Sequence, residues 1–360
     1  MSRHQESGLP GDDAADLEWC HESVQGVSRT FALTVEVLEE PMSSYICVGY
    51  LLCRIPDTVE DAGHVPPAEQ ARILRVYDAA LDPEDDTRIE EFVEAVSPYV
   101  PPHGERSDDW EVVAEAPRVV RTFETLPEDV RAAVTPPARE LVQGMAMFVE
   151  RYADDDGLRI ETREELEEYC YYAAGTVGYL ITNLVTRGDV TAERRHRLYE
   201  TAEQFGLLLQ LVNIAKDVYD DYTAENNVYL PAEWLDEAGV PQEEVVAPEH
   251  ESAVASVVGR VADHARGFVD DAQRYLEVVP RTDGNTLAAW AIPFLLAVGT
   301  LRELSARPED ALSEADVKVT RQEVYAVVSA MTGDAGPDRL ADLREAIARQ
   351  PFHLAVSSAD

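Results

Sequence analysis

Lysine occurs only twice in 360 residues, at Lys216 and Lys318, and cysteine four times, at Cys20, Cys47, Cys53 and Cys170. The cysteines show no C-x-x-C pair or other metal-ligand spacing. They therefore read as small buried hydrophobes in a reduced compartment rather than as a zinc or disulfide framework. Alternating β-branched runs bounded by turn residues hardly occur, so strand signals are scarce, and no internal repeat keeps a fixed period. The opening MSRHQESGLPGDDAAD lacks the apolar core of a secretory leader. The longest apolar stretch, Thr286 to Leu301, is shorter than the ~20 residues a spanning helix needs and contains Pro293, so a buried core helix is expected there. Cytoplasm is the default location.

Positive charge is also short. Thirty basic residues stand against 70 acidic ones, a formal net charge of −40. Such a surface repels nucleic acid and anionic lipid. The hydrophobic fraction of 45% is ordinary for a globular chain, which excludes an acidic disordered protein with nothing to bury. The acids are spread along the chain rather than gathered in blocks. With lysine almost absent, that points to a halophilic protein working in concentrated salt, where a Debye length of roughly 3 Å screens self-repulsion.

Apolar residues recur at helical spacing in segment after segment, so the fold is expected to be all-α. Helices are expected over 16–34, 41–60, 67–80, 88–96, 110–125, 127–154, 163–187, 192–221, 253–278, 286–305 and 321–331, separated by Pro, Gly or Asp clusters. Residues 1–15 are expected to be disordered, 16–335 to form one domain, and 336–360 to be a partly ordered C-terminal extension.

Two acidic runs stand out, Asp57-Thr-Val-Glu60-Asp61 and Asp217-Val-Tyr-Asp220-Asp221. Each places carboxylates at i, i+3 and i+4, on one helical face. The stripes continue upstream through Tyr50 and Arg54 in one case and Gln210 and Asn213 in the other, on helices that are otherwise apolar. Many D-x-x-x-D matches arise by chance in a chain with 70 acids, but a polar stripe on an apolar helix is less easily dismissed. Buried carboxylates must be paired or must bind metal. Oxygen donors without His or Cys fit Mg²⁺, which takes one or two carboxylates together with substrate phosphates. Asp57, Glu60, Asp61, Asp217, Asp220 and Asp221 are thus the candidate metal ligands, expected to face each other across a bundle core and hold diphosphate groups.

These residues resemble those of the squalene/phytoene synthase family over about residues 20 to 330. Ser28-Arg29-Thr30-Phe31 resembles the family's S-R-[ST]-F segment. Tyr50 to Asp61 resembles the first aspartate-rich helix, and Tyr169 to Gly178 the Y-C-x-Y-x-A-G-x-V-G helix. Phe205 to Asp221 resembles the Q-x-x-N-I-x-[RK]-D-x-x-x-D stretch, and Trp290 to Leu301 a helix of the squalene-forming branch. Val317 to Arg321 resembles a V-K-[IV]-R-K segment linked there to NADPH. The resemblance implies a single-domain isoprenoid synthase bundle around a central apolar cavity. It also implies Asp57, Asp61, Asp217, Asp221 and Tyr172 as catalytic residues, with a base near Tyr172. Ser28, Arg29, Phe31, Tyr50, Arg54, Gln210, Asn213 and Lys216 would contact substrate, and Lys318 and Arg321 the reductant. Ala174, Gly175 and Gly178 would wall the isoprenoid cavity.

The activity so implied is head-to-head joining of two farnesyl diphosphates and reduction to squalene, with Mg²⁺ and NADPH, by a monomer that meets a membrane peripherally to release product. The alternatives are phytoene formation from geranylgeranyl diphosphate without reductant, and a non-catalytic scaffold on the same fold. Three residues depart from the family pattern. Pro56 precedes Asp57 and is expected to kink its helix. Asn227 stands where the family commonly has Arg, and Thr320 replaces a basic residue.

Overall fold

The computed structural model describes residues 10–155, 157–280, 285–315, 317–332 and 337–357. As expected, these residues are helical, with one isolated bridge between Arg159 and Val228. The first half comprises α1 (Pro10–Val27), α2 (Arg29–Val37), α3 (Met42–Glu60), α4 (Pro67–Leu81), α5 (Ile89–Val96), α6 (Asp108–Ala114), α7 (Ala116–Thr125) and α8 (Glu128–Arg151). There follow α9 (Arg163–Cys170), a π-helical turn over Tyr171–Gly175, α10 (Thr176–Val185), α11 (Ala192–Lys216), α12 (Val218–Glu225) and α13 (Ala232–Ala238). The last third holds α14 (Glu251–Arg266), α15 (Val269–Val278), α16 (Thr286–Ala306), α17 (Arg321–Met331), α18 (Pro337–Arg349) and α19 (Phe352–Ser357).

Several expected helices are divided, each for a local reason. Ser28 is extended at φ −156°, and its hydroxyl accepts from Phe31 N, so it ends α1 and caps α2. Pro117 lies in the first turn of α7 and cannot continue α6. The segment 253–278 breaks at Gly267 and Phe268. α1 begins at Pro10, six residues before the expected start, so 10–15 are helix and not disordered; residues 1–9 lie outside the described part. α13 was not expected, although Pro231 before it and Gly239 after it, at φ +73°, are the usual start and stop.

α8 packs on α3, α4 and α10, while α11 packs on α10, α14, α15 and α16. α16 is buried nearly all round; it is long and apolar enough to cross a membrane, but 83% of its apolar window lies inside the protein, as a core helix does. The four cysteines are free and buried, as expected. The small residue Gly178 within α10 serves helix packing. A Cβ on Gly178 would come within 2.2 Å of the Ala202 carbonyl, so α10 and α11 touch backbone to backbone. The C-terminal helices are fastened by a buried ion pair. Arg302 Nη2 lies 2.8 Å from Glu323 Oε2, and Glu323 Oε1 also accepts from Phe352 N at 3.0 Å. Glu323 is 1% exposed, so α17 and α19 are locked to α16.

Pro56 does not end α3, which runs through it to Glu60. Lacking an N–H, Pro56 leaves the Leu52 carbonyl without its helical donor, and the fully buried Tyr77 hydroxyl of α4 donates to that oxygen at 2.9 Å. The same repair recurs in α8, where Pro137 frees the Ala133 carbonyl and Asn183 Nδ2 donates to it at 2.9 Å. Both prolines therefore tie their helix to a neighbour. Tyr77→Phe keeps the packing but leaves a buried carbonyl unpaired, so we expect it to cost about 1–3 kcal/mol in urea unfolding. A loss below about 0.5 kcal/mol would show that water or a shift of α3 replaces the bond.

Candidate active site

The first polar stripe is intact. α3 carries Tyr50, Arg54 and Asp57 at successive turns, with Asp61 as its C-cap. Phe31 of α2 stacks on Tyr50, with ring centroids 4.0 Å apart, and Ser28 caps the turn that holds Phe31. Burial, set against the attraction of Arg54, pushes the Tyr50 hydroxyl up to about 12. Arg54 pairs through Nη1 with Asp57, and its Nε lies 2.7 Å from Asp109 Oδ1 of α6. Burial disfavours the guanidinium charge, but Asp57 and Asp109 outweigh it and hold the group above its ordinary range. Ser28, Phe31, Tyr50 and Arg54 are thus brought together with Asp57. The Arg29 side chain lies outside the described part.

The second stripe bends where a continuous helix was expected. Asp217, at φ −103° and ψ 12°, closes α11 and opens α12. The register survives, because Asp217 N donates to Asn213 O at 3.0 Å and Asp221 N to Asp217 O at 2.9 Å. Lys216 pairs with Asp217. Gln210 is half-buried, whereas Asn213 and Asp220 are exposed.

The two runs converge, and the residue that shows it is one the sequence reading passed over. Glu225, at the end of α12, is pushed up to about 7 by burial, then by Asp57 of the first run, with Asp217 of the second adding to it. Burial followed by Asp57 and Glu225 raises both Glu60 and Asp61, and burial followed by Glu225 and Asp217 raises Asp221. The backbones also meet, since a Cβ on Gly63, just past α3, would lie 3.3 Å from the Glu225 carbonyl. The spacing 217, 221, 225 continues the i+4 progression and could have revealed Glu225.

A chain of buried polar groups joins the ends of the two runs. Glu60, 3% exposed, has Oε2 3.4 Å from the Tyr169 hydroxyl, which lies 3.1 Å from that of Tyr229. Asn227 Nδ2 donates to Tyr229 at 3.2 Å and to Glu225 Oε2 at 3.4 Å, while Leu158 N donates to Asn227 Oδ1 at 2.9 Å. Glu60 Oε1 has no partner. A cavity of about 380 Å³ lies beside this chain, lined by Glu60, His64, Tyr152, Glu225 and Asn227 among others.

Tyr172 sits in the π-helical turn, a local widening often found at functional sites. Its ring covers Gly144, where a Cβ would come within 2.2 Å of it, and stands edge-on to Phe148. Lys318 and Arg321 are exposed at the start of α17, whose main partners are α16 and α19 rather than the acidic helices.

No three side chains among the described residues stand ready as ligands of one metal ion. The donor set still fits Mg²⁺. It is all oxygen, it includes an orphaned buried carboxylate oxygen at Glu60, and its carboxyls repel one another in a desolvated space that a cation would relieve. Mg²⁺ needs only one or two of them when phosphate oxygens and water complete its shell.

The sign of the pH effect follows from the raised carboxyls. Their folded pKa values exceed the unfolded ones, so the folded state binds more protons. The Glu225 contribution to stability is complete below about pH 4 and is lost as pH rises through about 7, and Glu60, Asp61 and Asp221 act in the same direction. Without divalent cation the midpoint of thermal unfolding should carry a component that falls over this window, and Glu225→Gln should flatten it. Mg²⁺ should raise the midpoint more at pH 8 than at pH 5; equal shifts at both would show that the carboxyls do not bind it.

A family model described as squalene/phytoene synthase matches residues 24–323. The squalene synthase of Schizosaccharomyces pombe is 23% identical over 313 residues, 87% of this chain and 64% of that protein. That of Candida albicans is 26% identical over 300 residues, 82% and 63%. The chain thus spans less than two thirds of the length of these curated relatives. Among solved structures, a complex of TcSQS with the ligand E5700 superposes with a TM-score of 0.72 at 23% identity, covering 93% of this chain and 97% of that one. A dehydrosqualene synthase in complex with ligand gives 0.61 at 21% identity, covering 89% and 96%.

Proposed function

The chain belongs to the squalene/phytoene synthase family, and from that premise we propose that it joins two farnesyl diphosphates head to head and reduces the product to squalene. The single observation that carries this reading is the convergence of the two acidic runs on Glu225. Mg²⁺, when bound, would neutralise the diphosphate leaving group, and Asp57, Asp61, Asp217 and Asp221 would hold it, with Glu60 and Asp220 in support.

The residues of the chain supply the rest. Arg54 and Lys216, now paired with Asp57 and Asp217, are half-buried cations placed to turn toward diphosphate oxygens as the C–O bond breaks and the electron pair leaves with the diphosphate. Arg29, Gln210 and Asn213 would add contacts to the same group. The allylic cation left behind takes electrons from the double bond of the second substrate, forming a C–C bond. Loss of a proton to a base near Tyr172 then closes the cyclopropane. The hydroxyl of Tyr172 engages no other described residue, unlike those of Tyr77 and Tyr275, which are hydrogen-bonded within the core. The stacked Phe31 and Tyr50 rings would shield the cation from water. The remaining diphosphate then leaves with its C–O electron pair, the cyclopropane opens with rearrangement, and hydride from a nicotinamide reductant, its phosphates meeting Lys318 and Arg321, would quench the resulting cation. The same reading takes the chain as a cytoplasmic monomer, active in concentrated salt, with peripheral membrane contact for product release.

A second reading, head-to-head condensation that stops before reduction, is favoured by the likeness to a dehydrosqualene synthase and by the exposed, outlying position of Lys318 and Arg321. Incubation with farnesyl or geranylgeranyl diphosphate, Mg²⁺ and multimolar KCl, with and without NADPH, separates the readings. We expect squalene from farnesyl diphosphate only when NADPH is present, and a loss of about a hundredfold or more in kcat for Asp217→Asn. A forty-carbon product without reductant would replace squalene synthesis by phytoene synthesis. No pyrophosphate release from either substrate would favour a scaffold.

A further inference from the structure

The polar chain between Glu60 and Glu225 is anchored at Asn227. Asn227 Oδ1 accepts from Leu158 N at 2.9 Å, which fixes the orientation of the amide and turns its NH₂ toward Tyr229 and Glu225. One amide hydrogen goes to Glu225 Oε2 and the other to the Tyr229 oxygen. The Tyr229 oxygen also accepts from the Tyr169 hydroxyl at 3.1 Å, and that same hydroxyl lies 3.4 Å from Glu60 Oε2, so the contacts run unbroken from Glu225 through Asn227 and the two tyrosines to Glu60. Asn227, Tyr229, Tyr169 and Glu60 are all buried, and the two tyrosine rings lie 4.8 Å apart, so the strut is rigid.

We propose that Tyr229 and Asn227 are positioning residues that tie Glu60, at the end of the first acidic run, to Glu225, at the end of the second. They fix the gap between the two runs at which metal and diphosphate bind. The inference rests on the proposed function. It gives the Asn that stands in the family's Arg position a task of its own. In place of a cation for the substrate, this position donates two hydrogen bonds, one to each side of the acidic pair. Outer partners of this kind orient metal ligands and strengthen them as bases.

The test uses the full chain with Mn²⁺ in place of Mg²⁺ and inorganic pyrophosphate in place of substrate, bound Mn²⁺ being read by electron paramagnetic resonance. Tyr229→Phe removes one hydroxyl and keeps the ring. We expect it to weaken pyrophosphate-dependent Mn²⁺ binding roughly tenfold, with a fall in the thermal midpoint comparable to that of the control variant below. In turnover the same variant should need a higher Mg²⁺ concentration for half-maximal rate and recover kcat at saturating Mg²⁺. Tyr275→Phe is the control, because it too loses a buried hydroxyl, 2.9 Å from Thr182, outside the strut. It should leave Mn²⁺ binding unchanged. Equal binding by Tyr229→Phe and the parent overturns the inference, as does an equal loss in Tyr275→Phe. If the parent itself binds no Mn²⁺ with pyrophosphate, the proposed function fails and takes the inference with it.

Discussion

Repulsion among carboxylates that share a desolvated space is the constraint around which this structure is arranged. Glu60, Asp61, Asp221 and Glu225 come from two helices far apart in sequence, and burial, with Asp57 and Asp217 among the neighbouring charges, raises their proton affinity. Taking each ion from water costs several kcal/mol unless it is paired. Arg54 and Lys216 offset part of this, and the polar strut offsets more at the Glu60 and Glu225 ends. What remains uncompensated is the repulsion that the proposed Mg²⁺ would relieve.

A repulsive site survives only on a scaffold that cannot spread. The helices bearing the acids are therefore pinned by bonds that ordinary helices do not make. Pro56, within one residue of Asp57, obliges α3 to accept a hydrogen bond from Tyr77 of α4, and Pro137 obliges α8 to accept one from Asn183 of α10. A proline that would be a defect in an isolated helix becomes a cross-link between two. Backbone contact of α10 with α11 at Gly178 fixes the helix that leads into the second run. Asp217 sits at the one break in that helix, where a small change in backbone angle re-aims its carboxylate without moving the core behind it.

Much of this was legible in the sequence because it follows from periodicity. The all-helical fold, the two stripes, the core helix around Pro293 and the buried cysteines all depend on which residues share a face. The features that escaped depend on what lies across the fold. Tyr169 and Tyr229 carried no role of their own in the sequence; only the fold brings their hydroxyls to Glu60 and Asn227. Asn227 read as a lost cation, because sequence shows what a residue lacks and not what Leu158 makes of it. The break at Ser28 was written in its capping hydroxyl, and Glu225 in the i+4 progression, so those two were available and missed. The π-helical turn at Tyr171 had no local signal at all; it lies where the chain packs on both α8 and α11.

The net charge of −40 and the internal cluster are both acidic excess, but they obey different physics. Exposed carboxylates spread over the surface interact through solvent, so dissolved salt weakens their repulsion without any ion needing a fixed place. Carboxylates inside the fold are screened far less, and a diffuse ion atmosphere does not reach them. Their repulsion yields only to a proton, to a neighbouring guanidinium or ammonium, or to a cation seated among them. A chain that has given up nearly every lysine elsewhere keeps one of its two at Lys216, beside Asp217, where a mobile counterion could not substitute for it. The surface charge can be answered by dissolved ions, the buried charge only by groups that hold a fixed place.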